Sequence, residues 1–383
     1  MYKETAKEVL DFIQKSPSCF HAIQEIGRQL RENGFEELRE TDRWSIKKGG
    51  SYFTTRNGSS LIAFRVGKTL DDYHFQVTSS HCDSPTFKVK EKAELKGKGG
   101  YLQLNTEGYG GMICSSWMDR PLSLAGRVLM REGNTVTSRL VAFDRDLLII
   151  PNVAIHMNRS INDGFAFNKQ VDMLPLFSAG ECGEDSYREL IAQELGVDPQ
   201  SILGMDMYLY NRTAPSIWGA KKEFISSPKL DDLQCACTSL KAMIQAENDR
   251  CVTVYACFDN EEVGSGTKQG ACSTFLRDVL QRINDGLGFD GEDYRRAVAG
   301  SFMVSCDNAH AVHPNHPEKT DAENCTWMNK GIVIKFSANQ KYTTDGISCA
   351  VFAGLCRDAG GPVQDLANLR DHGGRKTPGK HAS

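Results

Sequence analysis

Asp259, Glu261 and Glu262 put three carboxylates into four positions. Such crowding is costly through like-charge repulsion unless a cation or a shared proton relieves it. The acids follow Val252-Thr-Val-Tyr-Ala-Cys-Phe258, a β-branched and aromatic run, and precede the glycine-rich Val263-Gly-Ser-Gly266. In open α/β sheets such strand ends carry the chemistry. The same acids would also suit the first turn of a helix, where carboxylates favour the positive end of the dipole. Taken alone, the stretch leaves both readings open.

Other runs end in the same way. His74 to Ser80 leads into His81-Cys-Asp83-Ser-Pro85, a histidine with a carboxylate two residues on that could orient it or a nearby group. A polar turn before a proline is the plainer reading of that piece. Ser301 to Cys306 leads into Asp307-Asn-Ala-His310-Ala-Val-His313-Pro-Asn-His316-Pro317, where Pro314 and Pro317 exclude three histidines on one helical face. Asp231, in Ser227-Pro-Lys-Leu-Asp231-Asp232, stands at a loop-to-helix junction and could be an ordinary N-cap. Three strand ends and one junction together are harder to dismiss than any of them singly. Oxygen-rich ligation with one or two histidines and no thiolate suits zinc, manganese or cobalt used for hydrolysis. Two ions about 3.5 to 4 Å apart, bridged by one aspartate, could hold a hydroxide and polarise a carbonyl. A neighbouring glutamate could then pass the water's proton to a leaving amine.

The elements that must position these residues follow from periodicity. Val9, Leu10, Phe12 and Ile13 predict one helix, Ser16-Pro17-Ser18 its stop, and Phe20, Ile23, Ile26 and Leu30 a second helix ending at Asn33-Gly34. Strands are expected over 50–55, 60–66 and 74–80, with Asn57-Gly58 as a hairpin turn. From about Lys90 to Ser226 the texture becomes β-rich, with Gly133-Asn134 between two alternating runs and one helix near 186–195. Helices are then expected from Asp231 to about Asn248 and from about Cys272 to Leu287. The expected architecture is α/β, a mixed central sheet flanked by helices, with an inserted β-rich domain. The boundaries are 1–90 and 227–364 for the two catalytic parts, 91–226 for the insertion and 365–383 for an atypical tail.

Composition sets limits. The chain has 383 residues, 40% of them hydrophobic, enough for a large core and for two domains as a soft prior. Net charge is −4 and no basic run is interleaved with aromatics, which argues against nucleic acid as the main partner. The N-terminal stretch carries Lys3, Glu4, Lys7, Glu8 and Asp11 among its apolar residues, unlike a signal peptide, and no stretch approaches a membrane span. A cytoplasmic protein with no membrane partner is expected. Thirteen cysteines, an odd number without Cys-x-x-Cys pairs, point to reduced thiols.

Four motifs in order then carry a resemblance. Ser80-His81-Cys-Asp83-Ser-Pro, Ser227-Pro-Lys-Leu-Asp231-Asp, Asp259-Asn-Glu261-Glu262-Val-Gly-Ser and Ser305-Cys-Asp307-Asn-Ala-His310-Ala-Val-His313-Pro-Asn together resemble the aspartyl aminopeptidase family of di-zinc metallopeptidases. The resemblance implies a fold of the zinc-exopeptidase type, peptide substrates, and removal of N-terminal residues with acidic ones as the candidate preference. It implies that Asp231 bridges two zinc ions, that His81 and Asp307 complete one, and that Glu262 binds the other. Glu261 would be the general base and Asp83 would support the site. The β-rich insertion would be an interface domain building a homo-dodecamer, with His156 of Ala154-Ile-His-Met-Asn158 reaching a neighbour's active site. Lys335 would meet an acidic substrate side chain, with Tyr342 and His310 near the substrate. From the residues alone, His156 is a lone histidine and Lys335 a lysine following an apolar run. A metal-dependent carboxypeptidase or an N-acyl amino acid deacylase would use the same site, and a non-catalytic assembly subunit would keep the insertion.

The resemblance thins after Gln364. The family's second zinc takes its last ligand from a histidine near the C-terminus, beyond a Gly-Gly-Ser-Thr loop. Here Asp371-His-Gly-Gly374 stands where that loop should begin, and Arg370, Arg375, Lys376 and Lys380 give the remainder the composition of a solvated tail. A frame slip or truncation is the expectation for this end. His372 or His381 could substitute as ligands, although neither follows an apolar strand. On this reading one metal position has all its protein ligands and the other keeps Asp231 and Glu262.

Overall fold

The computed structural model describes residues 2–367. Its described residues divide into two compact units, one formed by 2–29 together with 82–233, the other by 30–81 together with 234–367.

The chain opens with α1 (Tyr2–Gln14) and α2 (Cys19–Glu32), broken at Ser16-Pro17-Ser18 as the apolar spacing predicts. Next come β1 (Glu36–Leu38), β2 (Ser51–Arg56), β3 (Ser60–Val66) and β4 (Phe75–His81). Asn57 and Gly58 both have positive φ, 59° and 66°, the conformation a two-residue turn between β2 and β3 requires. The insertion contributes β5 (Thr86–Lys96), β6 (Leu102–Tyr109), β7 (Leu122–Glu132), β8 (Thr135–Ala142), β9 (Leu176–Ser178), α3 (Ser186–Leu195), β10 (Ile202–Asn211), β11 (Ser216–Trp218) and β12 (Phe224–Ser226). The chain returns through α4 (Leu230–Gln245), β13 (Val252–Phe258), α5 (Phe275–Gly286), α6 (Gly291–Ala299) and β14 (Phe302–Ser305). It continues through β15 (Ile332–Phe336), α7 (Gly346–Asp358) and β16 (Val363–Ala367).

In the unit that holds β1–β4, the expected mixed sheet has six strands in the order β1-β2-β3-β13-β4-β14. β13 runs antiparallel to β3 and parallel to β4, with Phe258 opposite His81. β14 is parallel to β4, with Ser305 opposite Ser79. β13 is almost wholly buried, which explains its unbroken apolar sequence: a strand covered on both faces has no polar side to alternate with. Phe64, Phe75, Val254, Phe258, Phe275 and Ile283 form much of the core beneath it. β15 and β16 make a separate parallel pair, with Lys335 opposite Leu366. This strand takes in Asp365, Leu366 and Ala367, which the sequence reading placed at the start of the tail. Asp371–Gly374, His372 and His381 lie outside the described residues.

The other unit carries an antiparallel sheet in the order β8-β7-β10-β5-β6-β9, as the hairpin signals suggest. Gly126 lies where β7 and β10 approach so closely that a Cβ would meet the Asp206 carbonyl oxygen at 2.0 Å. Arg127 and Lys88 flank Asp206 at 2.8 and 2.9 Å. The loop between β8 and β9 exposes Val153, Ile155, Met157 and Val171. Among the described residues, no helix is long and apolar enough to cross a membrane.

Candidate metal centre

Because β4 lies between β13 and β14 and is parallel to both, the three strands end on one edge of the sheet. Each ends in a polar side chain that the sequence marked. His81 is the last residue of β4, Asp259 follows β13, and Asp307 follows β14 by two residues. The Cys306 amide donates to the Ser79 carbonyl at 2.8 Å, carrying the β14 alignment to the residue before Asp307.

After β13 the backbone reverses in a single 3-10 turn, Glu261–Val263, between Asn260 (φ 66°) and Gly264 (φ 97°). The Asn260 side chain accepts from Thr267 Oγ1 and Gln269 Nε2, both at 2.8 Å, and the Ser265 amide donates to the Asn260 carbonyl at 2.8 Å. Gly270 closes the loop so tightly that a Cβ there would be 2.3 Å from the Ser265 carbonyl oxygen. Asp259 is buried, with its amide bonded to Ser60 Oγ at 3.0 Å. The turn leaves Glu261 buried and Glu262 half-buried.

His81, 1% exposed, has Nε2 3.9 Å from Asp307 Oδ1 and 4.0 Å from Glu261 Oε2. Those separations are too long for hydrogen bonds. The His81–Asp307 separation suits atoms that share an ion, since two ligands each about 2 Å from zinc stand roughly 3 to 4 Å apart, and the Glu261 separation leaves its carboxylate beside such an ion. His81, Asp231, Asp232 and Asp307 each offer a ligand atom, all within 4.8 Å of one another. One histidine and three carboxylates, two of the four groups fully buried, make a donor set that fits a divalent cation. Glu262 is not one of that four.

Asp231 departs from the N-cap expectation. Although α4 opens at Leu230, Asp231 (φ −83°, ψ 108°) and Asp232 (φ −121°, ψ 20°) are not helical, and the peptide between them is cis. Ser84 Oγ donates to the Asp231 carbonyl at 3.0 Å. Asp232, fully buried, was missed by the sequence reading, which took one acid of the pair. The signal was the doubling itself, two carboxylates after Pro-Lys-Leu, which looks like dipole compensation in a helix start.

Asp83 is buried and accepts from Tyr109 Oη at 2.6 Å. Lys335 lies against Asp307, Nζ to Oδ2 at 3.1 Å, and 5.7 Å from the Tyr342 ring centroid, so these three residues come together. His310 is exposed, its carbonyl accepting from Thr326 Oγ1 at 2.5 Å. His156 is in an exposed turn of the β8–β9 loop.

A mixed α/β sheet that gathers a histidine and carboxylates at its strand ends defines a metal-dependent hydrolase. Comparison with known proteins makes the class specific. The chain belongs to the M18 peptidases, the aminopeptidase I zinc metalloproteases, whose family model matches residues 12–382. That match runs beyond Gln364, where the motifs thin out. The chain is 46% identical over 382 residues to the probable M18 family aminopeptidase 2 of Clostridium acetobutylicum, covering 98% of this chain and 88% of that one. The solved structure of the Ape4 and Nbr1 complex contains a similar chain, 36% identical with a TM-score of 0.95, over 99% of this chain and 78% of that one. The mApe1 dodecamer of S. cerevesiae is 26% identical with a TM-score of 0.82, over 96% and 86%. Of the activities the sequence left open, the family is that of a metal-dependent aminopeptidase, a hydrolase.

Proposed function

We propose that this chain removes single N-terminal residues from peptides, acidic ones by preference, at a centre of two zinc ions. His81 and Asp307 would hold one ion, Glu262 the other, and Asp231 would bridge them, with Asp232 beside it as a further ligand. The observation that carries this reading is the grouping of His81, Asp231, Asp232 and Asp307 within 4.8 Å. Zinc, when bound, supplies Lewis acidity to the scissile carbonyl and to the attacking water.

The remaining work falls to the chain's own groups. Glu261, buried and 4.0 Å from His81 Nε2, takes the water's proton on its carboxylate and returns it to the leaving amine. Asp83, held by Tyr109, supports the site from two residues beyond His81. Lys335 and Tyr342 favour an acidic side chain on the substrate through the ammonium charge, with His310 near the substrate. The chain works as a homo-oligomer in the cytoplasm, a dodecamer like the S. cerevesiae mApe1 assembly, in which His156 serves a neighbouring active site. The exposed Ile155 and Met157 beside His156 support an interface there.

Metal content after dialysis, measured with an Asp231→Ala control, tests the centre. About two ions per chain, falling sharply in the variant, is the expected result. One ion or fewer in the intact chain refutes the two-ion centre. Cleavage of aspartyl, glutamyl and alanyl amides, each with a free or an acetylated amino group, tests the substrate. Equal rates on free and acetylated substrates would sink the aminopeptidase reading, and a preference for alanine the acidic one.

A further inference from the structure

The two oxygens of Asp307 face different groups. Oδ1 faces His81 Nε2 at 3.9 Å. Oδ2 accepts from Lys335 Nζ at 3.1 Å, and the same ammonium donates to the Asn308 carbonyl at 2.8 Å. The Lys335 and Asp307 side chains are only 14% and 16% exposed, so water screens the pair weakly. The lysine stem begins from a fixed place, because Lys335 pairs with Leu366 in the β15–β16 ladder.

We propose that Lys335 is a positioning residue for the metal centre, holding Oδ2 so that Asp307 presents Oδ1 alone to the ion. This rests on His81 and Asp307 being ligands, as proposed above. An unrestrained carboxylate could rotate to take an ion through both oxygens or turn away from it. A charge-assisted bond to one oxygen removes that freedom. The ammonium also repels a dication, but that repulsion acts across the carboxylate whereas the orienting contact is direct, so orientation dominates. Groups that hold ligating carboxylates in this way typically change metal affinity by about 10- to 100-fold when removed. A lysine serving only an acidic substrate side chain would leave metal affinity untouched.

The test is the zinc dissociation constant of the full chain, measured by competition with a chromogenic chelator. It is measured for the wild type, Lys335→Met, Lys335→Arg and a His81→Ala control, with the melting temperature of each metal-free protein. Lys335→Met is expected to bind zinc about 10-fold or more weakly, and Lys335→Arg, which keeps the bond to Oδ2, to recover most of that loss. At limiting zinc, turnover of Lys335→Met on neutral N-terminal residues should fall and return with excess zinc, whereas on acidic ones a further loss, from the missing substrate contact, should persist. If Lys335→Met does not fold, Lys335→Gln takes its place. Affinity within twofold of the wild type, or tighter, overturns the proposal, as does a defect confined to KM for acidic substrates. Unchanged zinc binding in His81→Ala would instead overturn the ligand assignment beneath it.

Discussion

Acidification should destabilise this protein through one histidine in α2. His21 accepts or donates a 2.8 Å hydrogen bond with Ser18 Oγ, and burial, aided by the Lys229 charge, pushes its pKa down to about 4. In the unfolded chain the same imidazole titrates near 6.5, a difference of about 2.5 units at about 1.4 kcal/mol each. Below pH 6.5 the unfolded chain therefore binds a proton that the folded chain refuses, and stability falls until the folded pKa is reached. The loss from this group amounts to about 3 kcal/mol between pH 7 and pH 4 and does not grow further below it. Glu25 and Asp206, whose carboxyls are held low by Arg28 with Gln29 and by Lys88 with Arg127, also lose stability on acidification. They do so equally in a variant that keeps them. Urea unfolding of the wild type and His21→Gln at steps from pH 7 to pH 4 isolates the histidine. The wild type should lose about 3 kcal/mol more than the variant across that range. Parallel stability curves would show that His21 is hydrated, and the reasoning from burial would fail.

Four further outcomes follow from the site. Glu261→Gln should retain bound metal, read by elemental analysis, while kcat falls about 10²- to 10⁴-fold, the usual worth of a general base. Asp232→Asn should weaken zinc binding in a chelator competition, since the amide replaces a fully buried carboxylate of the ligand group with a neutral side chain. Gly270→Ala should cost about 1 to 3 kcal/mol in a denaturant titration and lower kcat as well, because the added methyl displaces Ser265 in the turn that aims Glu261. Chelation should abolish activity and lower the melting temperature, and zinc at 1,000 times its dissociation constant should restore about 4 kcal/mol.

The strand ends were legible because the signal is local: an apolar run that stops at a histidine or an acid. Their alignment was not, since β3 and β4 are consecutive in sequence yet β13, from far downstream, lies between them. Lys335 shows the same limit. Its type and strand were readable, whereas its bond to Asp307, 28 residues away, comes from the path between β14 and β15. Asp231 and Asp232 look in sequence like a helix opening, and their non-helical backbone is a tertiary outcome. β16 escaped notice because Val363-Gln-Asp-Leu-Ala367 alternates weakly, and its pairing with β15 is supplied by the α7 crossover. The N-terminal helices were found, but not their grouping with the insertion.

The place of β13 between β3 and β4 also bears on how the chain emerges from a ribosome. When His81 has been made, neither strand that will flank β4 yet exists, and roughly 180 residues must follow before β13 is complete at Phe258. At about 5 to 20 residues per second that interval is on the order of ten to thirty seconds. Throughout it, β3 and β4 present unpaired edges rich in Leu, Ile, Phe and Val, templates for pairing with other chains. The antiparallel sheet of the insertion closes within itself during the same interval, through pairings among its own strands. Synthesis thus leaves the catalytic sheet waiting on its last strands while the insertion is already built, and chaperone demand should be greatest for nascent chains between those two points.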